Sequence, residues 1–167
     1  LERLVEGAAK LIAGEAGEPV VIANARWLSG GASKLQMMFD LDRDGQPTER
    51  LVLRMEPAAS VTESSRLREF EVIRAVEGII PVPRARWVDP DGNFLPYPAM
   101  IYGYSSGTAK PTHDAGKVSG LGQNFGPALR DRLAPQFVGL LARLHTIDVA
   151  KATGLVHFER AQVGSNA

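Results

Sequence analysis

The chain has 167 residues, of which 44% are hydrophobic and 23% charged, and its 19 basic residues balance its 19 acidic ones. That length and composition are typical of one globular domain. Zero net charge argues against a nucleic-acid binder, and no apolar run approaches the ~20 residues needed to span a bilayer. The absence of cysteine excludes disulfides and thiolate metal sites. Since the start lacks a signal-peptide pattern, we expect a cytoplasmic protein.

The N-terminal segment predicts an amphipathic helix. Apolar residues recur at intervals of three and four across residues 2–13, which places them on one face of a helix. Gly14 and Gly17 follow, and glycine is common at helix ends because it adopts left-handed backbone conformations without strain. We therefore expect these two glycines to end the helix.

Three strands are predicted after this helix. The segment 19–28 is rich in β-formers and leads into a glycine-rich turn. Residues 35–41 alternate between apolar and polar side chains, which is typical of a half-buried strand. A turn at 42–45 precedes the returning strand at 50–56, which carries one arginine among its apolar residues. We expect the three strands to form an antiparallel meander.

A second helix is predicted over 64–78, where a serine can cap the start and a glycine can end it. At ~100° per residue its apolar side chains fall on one arc, with Glu69 near the middle and with Glu71 and Arg74 outside it. A buried acid without a partner is costly, so Glu69 either meets a cation from another element or reaches water at the helix end. The arc consists of Phe70, Val72, Ile73 and Val76.

The second half of the chain predicts two strands and a third helix. Residues 84–88 and 99–104 read as strands, and the first of them leads into the turn-forming sequence at 89–92. Residues 105–126 are rich in Gly, Ser, Thr and Pro and predict a long connection. Helical spacing over 128–146 predicts a helix with an apolar stripe along one side. The stripe consists of Leu133, Phe137, Leu140, Leu141 and Leu144.

This order of elements is that of the small lobe of a protein-kinase-like fold. The sequence resembles the aminoglycoside phosphotransferase family, also called the phosphotransferase enzyme family. The resemblance rests mainly on “LSGGASK”, “LVLRMEP”, “REFEVIRAV”, “AMIYGYSSG” and “FVGLLARLHTID”. It is closest to the branch resembling the kinase-like domain of acyl-CoA dehydrogenase fusion proteins, in which Arg often stands at the cation position of the third strand.

The resemblance implies an α+β fold. Residues 1–104 would form a kinase-like small lobe, with an antiparallel five-stranded sheet and one main helix. Residues 105–127 would be the hinge and linker, and 128–167 the start of the C-terminal lobe. ATP and Mg²⁺ are the implied cofactors, with the metal ligands expected in the remainder of that C-terminal lobe.

The resemblance also implies which residues bind the nucleotide. Arg54 would replace the strand-3 lysine that contacts the α- and β-phosphates, and Glu69 would orient it. Tyr102 would lie near the gatekeeper position, and backbone groups of about Gly103 and Ser105 would bond adenine. A loop over the phosphates would consist of Ser29, Gly30, Gly31, Ala32 and Ser33.

The resemblance further implies a kinase that transfers the γ-phosphoryl group of ATP to a hydroxyl of an unidentified small molecule. No residue after 148 matches the family's His-Gly-Asp catalytic loop or its second, metal-holding Asp, so we expect this fragment to be inactive alone. Two alternatives stay open at this point. In the first, the chain is a non-catalytic nucleotide-binding module. In the second, it is an interaction domain in which the glycine-rich turn only joins two strands.

The implied partners are the nucleotide and the hydroxyl substrate, without nucleic acid or membrane. In the family the apolar stripe of the helix at 128–146 packs within the large lobe. Large exposed apolar patches rarely persist on soluble monomers. We therefore expect the 167-residue chain to form a homodimer through this helix or to be poorly soluble.

Overall fold

The chain forms an α+β structure in the computed structural model, which describes residues 1–28, 35–56, 65–107 and 127–148. The element order is the predicted one. Within the described ranges no helix combines the length and the apolar character that crossing a bilayer requires. The elements are α1 (Glu2–Ala16), β1 (Val21–Trp27), β2 (Leu35–Asp42), β3 (Glu49–Met55), α2 (Arg66–Val76), β4 (Ala85–Asp89), β5 (Ala99–Gly103) and α3 (Pro127–His145).

Five antiparallel strands form one open sheet in the order β1-β2-β3-β5-β4. The first three make the predicted meander, and β5 pairs with β3, which leaves β4 at the edge. In the β3–β5 register Val52 lies opposite Tyr102 and Arg54 opposite Met100. Residues two apart on a strand share a face, so these four side chains lie on one side of the sheet. The predicted fold, an antiparallel five-stranded sheet with helices as in a kinase-like small lobe, is confirmed.

α1 covers the opposite face of the sheet and forms the main core with it. A fully buried Leu, Ile, Met or Phe side chain contributes about 1.5–3 kcal/mol. Most of the buried side chains of this kind lie on this face, so it supplies most of the apolar stabilisation. The core residues from α1 are Leu4, Ala8, Leu11 and Ile12, and those from β2 and β3 are Met37, Phe39, Leu41, Leu51, Leu53 and Met55.

α1 is longer than predicted because only the second glycine ends it. Gly17 has a left-handed backbone (φ 72°, ψ 12°), and its N–H donates to the carbonyl of Ala13 at 2.9 Å. Gly14 lies inside the helix, so the expectation that it ends α1 is wrong. The two alanines and the glutamate around Gly14 are good helix formers and carry the helix past it.

β2 is buried on both faces, so the prediction of a half-buried strand is wrong. Met38 and Asp40, on the face expected to be polar and open, are only 3% and 5% exposed. β2 is an inner strand, paired with β1 and β3. The buried carboxylate of Asp40 accepts hydrogen bonds from both neighbouring strands, from the exposed side chains of Asn24 and Arg50.

α2 packs against the second face of the sheet through a different side than predicted. Its buried residues are Arg66, Phe70 and Glu71, whereas Val72 is 40% exposed. The predicted arc included Val72 and excluded Glu71. The side of α2 that packs on the sheet is therefore rotated about the helix axis, away from Val72 and toward Glu71, relative to the prediction. Phe70 is the largest apolar side chain of α2 and determines this rotation by packing against β4 and β5. The cluster consists of Phe70, Ala85 and Met100, with Ile73, Val88 and Tyr102 beside it.

Gly7 permits a close approach between α1 and the β4–β5 connection. A Cβ atom at this position would collide with the backbone carbonyl oxygen of Phe94. Backbone cannot yield as a flexible side chain can, so we expect Gly7→Ala to destabilise the fold by about 2 kcal/mol. Urea unfolding followed by circular dichroism measures the change.

Gly14→Ala is the matched control on the same helix, because nothing lies within 4 Å of a Cβ added there. Alanine loses less backbone entropy than glycine in a helix, so this variant should gain about 0.5–1 kcal/mol. Similar effects of the two substitutions would contradict the close approach of α1 to the backbone of Phe94 at Gly7.

α3 presents its apolar side chains to solvent. None of its described residues is buried, and Phe137 is 68% exposed. The predicted homodimer through this helix therefore stays a prediction, and the exposed side chains are its physical basis. Val138 on α3 and Val21 on β1 offer a matched pair for testing it, since each is 63% exposed.

We expect sedimentation velocity to show self-association of the 167-residue chain. Val138→Lys should weaken it because a charge at an apolar contact must be desolvated. Val21→Lys alters an equally exposed valine on an edge strand and should leave association unchanged. A monomeric wild-type chain, or equal effects of both lysines, would refute the dimer through α3.

Candidate functional site

The N-terminal turn of α2 sets the position of Glu69. Ser65 caps the helix, and its side-chain oxygen accepts from the backbone N–H of Arg68 at 3.3 Å. The backbone N–H of Glu69 donates to the carbonyl of Ser65 at 3.1 Å. An acidic residue in the first turn also interacts favourably with the helix dipole. The sequence therefore starts the helix where Glu69 can reach the sheet.

Glu69 meets Arg54 of β3, as predicted. The Nη1 atom of Arg54 lies 2.5 Å from Oε1 of Glu69, and the two side chains are 22% and 26% exposed. The acid and the cation inside the strand thus satisfy each other at the border between core and solvent. The predicted contact is present, while the role of these residues in nucleotide binding stays a prediction.

Two further charged residues extend this contact, and sequence reasoning missed both. Nη1 of Arg66 lies 2.6 Å from Oε2 of Glu69, and Nη2 of Arg66 donates to Oε2 of Glu56 at 2.6 Å. Glu56 follows the last residue of β3, and its backbone N–H donates to the carbonyl of Pro98 at 3.2 Å. The spacing of three between Arg66 and Glu69, in the first turn of a predicted helix, was the available signal.

Tyr102, which the resemblance predicts to lie near the gatekeeper position, is on the same face of the sheet as Arg54. Burial raises the pKa of its phenol, and the nearby Arg54 partly opposes that shift. Because the pKa is raised from an already high ordinary value, the phenol stays neutral at physiological pH. A neutral, partly buried phenol beside the pair of Arg54 and Glu69 suits a packing role rather than a catalytic one.

The predicted hinge follows β5. The N–H of Gly103 donates to the carbonyl of Arg84, and the N–H of Tyr104 donates to the carbonyl of Arg50, both at 2.9 Å. Both amides are thus used within the protein. Ser105 comes next and is exposed. The structure therefore places Tyr102, Gly103 and Ser105 at the C-terminal end of β5 and just beyond it. They follow the residue that pairs with Arg54 by a few positions.

Part of the predicted site lies outside the described residues. This holds for the proposed phosphate loop, which consists of Ser29, Gly30, Gly31, Ala32 and Ser33, and for residues 108–126 of the linker. Among the described residues, no three His, Asp or Glu side chains gather closely enough to hold a metal ion.

A second polar cluster lies on the same sheet face, nearer the hinge. Asn24 occupies an irregularity in β1 with a positive φ of 54°, and its Nδ2 donates to Oδ2 of Asp40 at 2.9 Å. Arg50 donates to both oxygens of Asp40, through Nε at 2.7 Å and Nη2 at 3.2 Å. Both hydrogen bonds lower the pKa of Asp40, the one from Arg50 more than the one from Asn24.

The lowered pKa of Asp40 predicts a pH-dependent contribution to stability. The contribution is fully present above the ordinary aspartate pKa of 3.8. As the pH falls through the lower folded-state pKa, protonation removes it. We expect Asp40→Asn to be less stable than wild type at neutral pH, with the difference shrinking below about pH 4. Urea unfolding between pH 7 and about pH 2.5 measures it.

Asp44→Asn serves as the control, because it removes the same charge from the exposed β2–β3 turn. If this variant reproduces the pH profile of Asp40→Asn, loss of net charge rather than the contacts of Asp40 is responsible.

The family identity rests on a sequence match over most of the chain. Residues 25–165 match the phosphotransferase enzyme family. The match begins within β1 and includes the strand that carries Arg54, the helix that carries Glu69, the predicted hinge and α3. It agrees with the kinase-like architecture of the sheet and with the family predicted from the sequence. The chain belongs to the phosphotransferase enzyme family.

Proposed function

We propose that this chain is the ATP-binding lobe of a small-molecule phosphotransferase. The observation that carries the proposal is the contact between Arg54 and Glu69, 2.5 Å apart and about a quarter exposed. In kinase-like enzymes a strand-3 cation held by a helix glutamate contacts the α- and β-phosphates of ATP. Family membership supports the phosphotransferase class, and this pair supports the phosphate-binding role.

Arg54 has the chemistry that a phosphate contact requires. A guanidinium carries five N–H donors in one plane and stays protonated at any physiological pH. Glu69 holds one terminal nitrogen, Nη1, and the buried Nε is out of reach of a ligand, so phosphate can meet the second terminal nitrogen, Nη2, with its two N–H donors. Donors therefore remain for phosphate oxygens, and hydrogen bonds between charged groups are about twice as strong as neutral ones.

The base would bind at the hinge. Met100, the partner of Arg54 on β5, precedes Gly103 by three residues, or ~10 Å of strand. A nucleoside and its first phosphates can span that separation. Because the amides of Gly103 and Tyr104 already donate within the protein, Ser105 is the donor we propose for adenine, together with carbonyl oxygens of the hinge.

The remaining chemistry belongs to groups outside the described residues. ATP supplies the γ-phosphoryl group, which we propose is transferred to a hydroxyl of a small molecule with the help of Mg²⁺. The described residues contain neither a metal-binding carboxylate cluster nor the His-Gly-Asp sequence of the family. We therefore expect the 167-residue chain to bind nucleotide without transferring phosphate. Arg54 in place of lysine favours the branch resembling acyl-CoA dehydrogenase fusions, and we propose a cytoplasmic location.

The test is MgATP binding by isothermal titration calorimetry with the 167-residue chain. Arg54→Met should weaken binding about tenfold or more, since it removes charge-assisted hydrogen bonds to phosphate. Arg86→Met is a matched control on the edge strand β4. Arg86 is 16% exposed and donates to Glu49 at 2.8 Å, so it is partly buried and paired much as Arg54 is.

We expect Arg86→Met to bind MgATP as the wild type does. Equal losses for both variants would indicate a general effect on the fold. A wild-type chain that binds no nucleotide would instead favour the interaction-domain alternative, which requires no phosphate contact from Arg54.

A further inference from the structure

Glu69 is shared between two guanidinium groups. Its Oε1 contacts Nη1 of Arg54 at 2.5 Å, and its Oε2 lies 2.6 Å from Nη1 of Arg66. Arg66 reaches on to Glu56, with Nη2 and Oε2 2.6 Å apart. The four side chains therefore form a row of alternating charge. Arg54 lies on β3, Glu69 and Arg66 lie on α2, and Glu56 follows the end of β3. We call this row the four-residue ion chain.

The four-residue ion chain has one buried pair and one partly exposed pair. The side chain of Arg66 is 0% exposed and that of Glu56 is 9%, whereas Glu69 and Arg54 are 26% and 22% exposed. A ligand that approaches from solvent can therefore meet Arg54 and cannot meet Arg66. Arg66 can therefore act on an anionic ligand only without touching it, by orienting Glu69 and by its own charge.

Arg66 changes both the geometry and the charge that Arg54 presents. The ion pair between Nη1 of Arg66 and Oε2 of Glu69 keeps the carboxylate in an orientation that gives Arg54 the other oxygen and disfavours a bidentate pair with Arg54. The ion chain contains two arginines and two glutamates, so its formal charge is zero. Without Arg66 the three remaining side chains of the ion chain would sum to one negative charge, which disfavours an approaching phosphate.

We propose that Arg66 is a positioning residue for nucleotide binding. It holds Glu69 by one oxygen and offsets its charge, and thereby keeps the donors of Arg54 available for phosphate. The inference rests on the proposed phosphate-binding role of Arg54. Its specific consequence is that Arg66 affects ligands that carry phosphate and leaves the nucleoside alone unaffected.

The experiment compares MgATP and adenosine as ligands of the 167-residue chain, both by isothermal titration calorimetry. We expect Arg66→Met to weaken MgATP binding about tenfold and to leave adenosine binding unchanged. Arg66→Lys keeps the charge but lacks the fork that reaches two carboxylates, so it should recover part of the affinity. A purely structural role would instead lower both affinities together or neither.

Arg66→Met leaves Glu56 and Glu69 without the guanidinium between them, which can prevent folding. The double variant Glu56→Gln/Arg66→Met removes one charge of each sign and keeps the ion chain neutral. It should fold and still bind MgATP more weakly than wild type, because Glu69 is released to pair fully with Arg54. Wild-type MgATP affinity in this double variant would overturn the proposal.

Failure of this inference is distinguishable from failure of the proposed function. If Arg54→Met weakens MgATP binding and the Arg66 variants do not, only the role of Arg66 is refuted. If wild type binds MgATP no more tightly than adenosine, phosphate recognition by Arg54 is refuted, and the role of Arg66 is refuted with it.

Discussion

The pairing of Glu69 is the interaction on which the rest of this face of the lobe depends. α2 offers the sheet little apolar surface, since two of its three buried residues, Arg66 and Glu71, are charged. Charged groups leave water only when they are paired, because an isolated buried charge costs far more than a helix of this length can offset. The position of α2 on the sheet and the formation of the ion pairs are therefore one event.

The two faces of the sheet separate stability from chemistry. Among the described residues, fourteen form the buried cluster on the α1 face, against three in the cluster beneath α2. A small shift of α2 would thus expose little apolar surface, whereas a shift of α1 would open the core. The α1 face is therefore stabilised mainly by apolar burial, whereas the α2 face depends on its ion pairs.

The order of elements, the meander of β1, β2 and β3 and the central contact could be predicted from the sequence, because they follow from local rules, whereas the pairing of β5 with β3 could not. Alternation and turns defined the meander, and a cation inside a strand together with an acid in the next helix each required a partner. The rotation of α2 could not be predicted, since helical periodicity treats charged residues as outward-facing. Arg66 violates that assumption because Glu56, just after β3, is available to it as a partner. Likewise, the burial of Asp40 depends on a donor from Asn24, whose positive φ no pattern indicates.

Arginine at position 54 suits a carboxylate that is shared with a second arginine. Arg66 approaches one oxygen of Glu69, which leaves Arg54 the other. Lysine carries a single charged nitrogen, so the same nitrogen would have to serve both the carboxylate and a phosphate. A guanidinium can give one nitrogen to Glu69 and direct its other donors elsewhere in the same plane. The arginine of β3 and the arginine in the first turn of α2 are therefore two parts of one arrangement, in which a single glutamate orients a cation without consuming it.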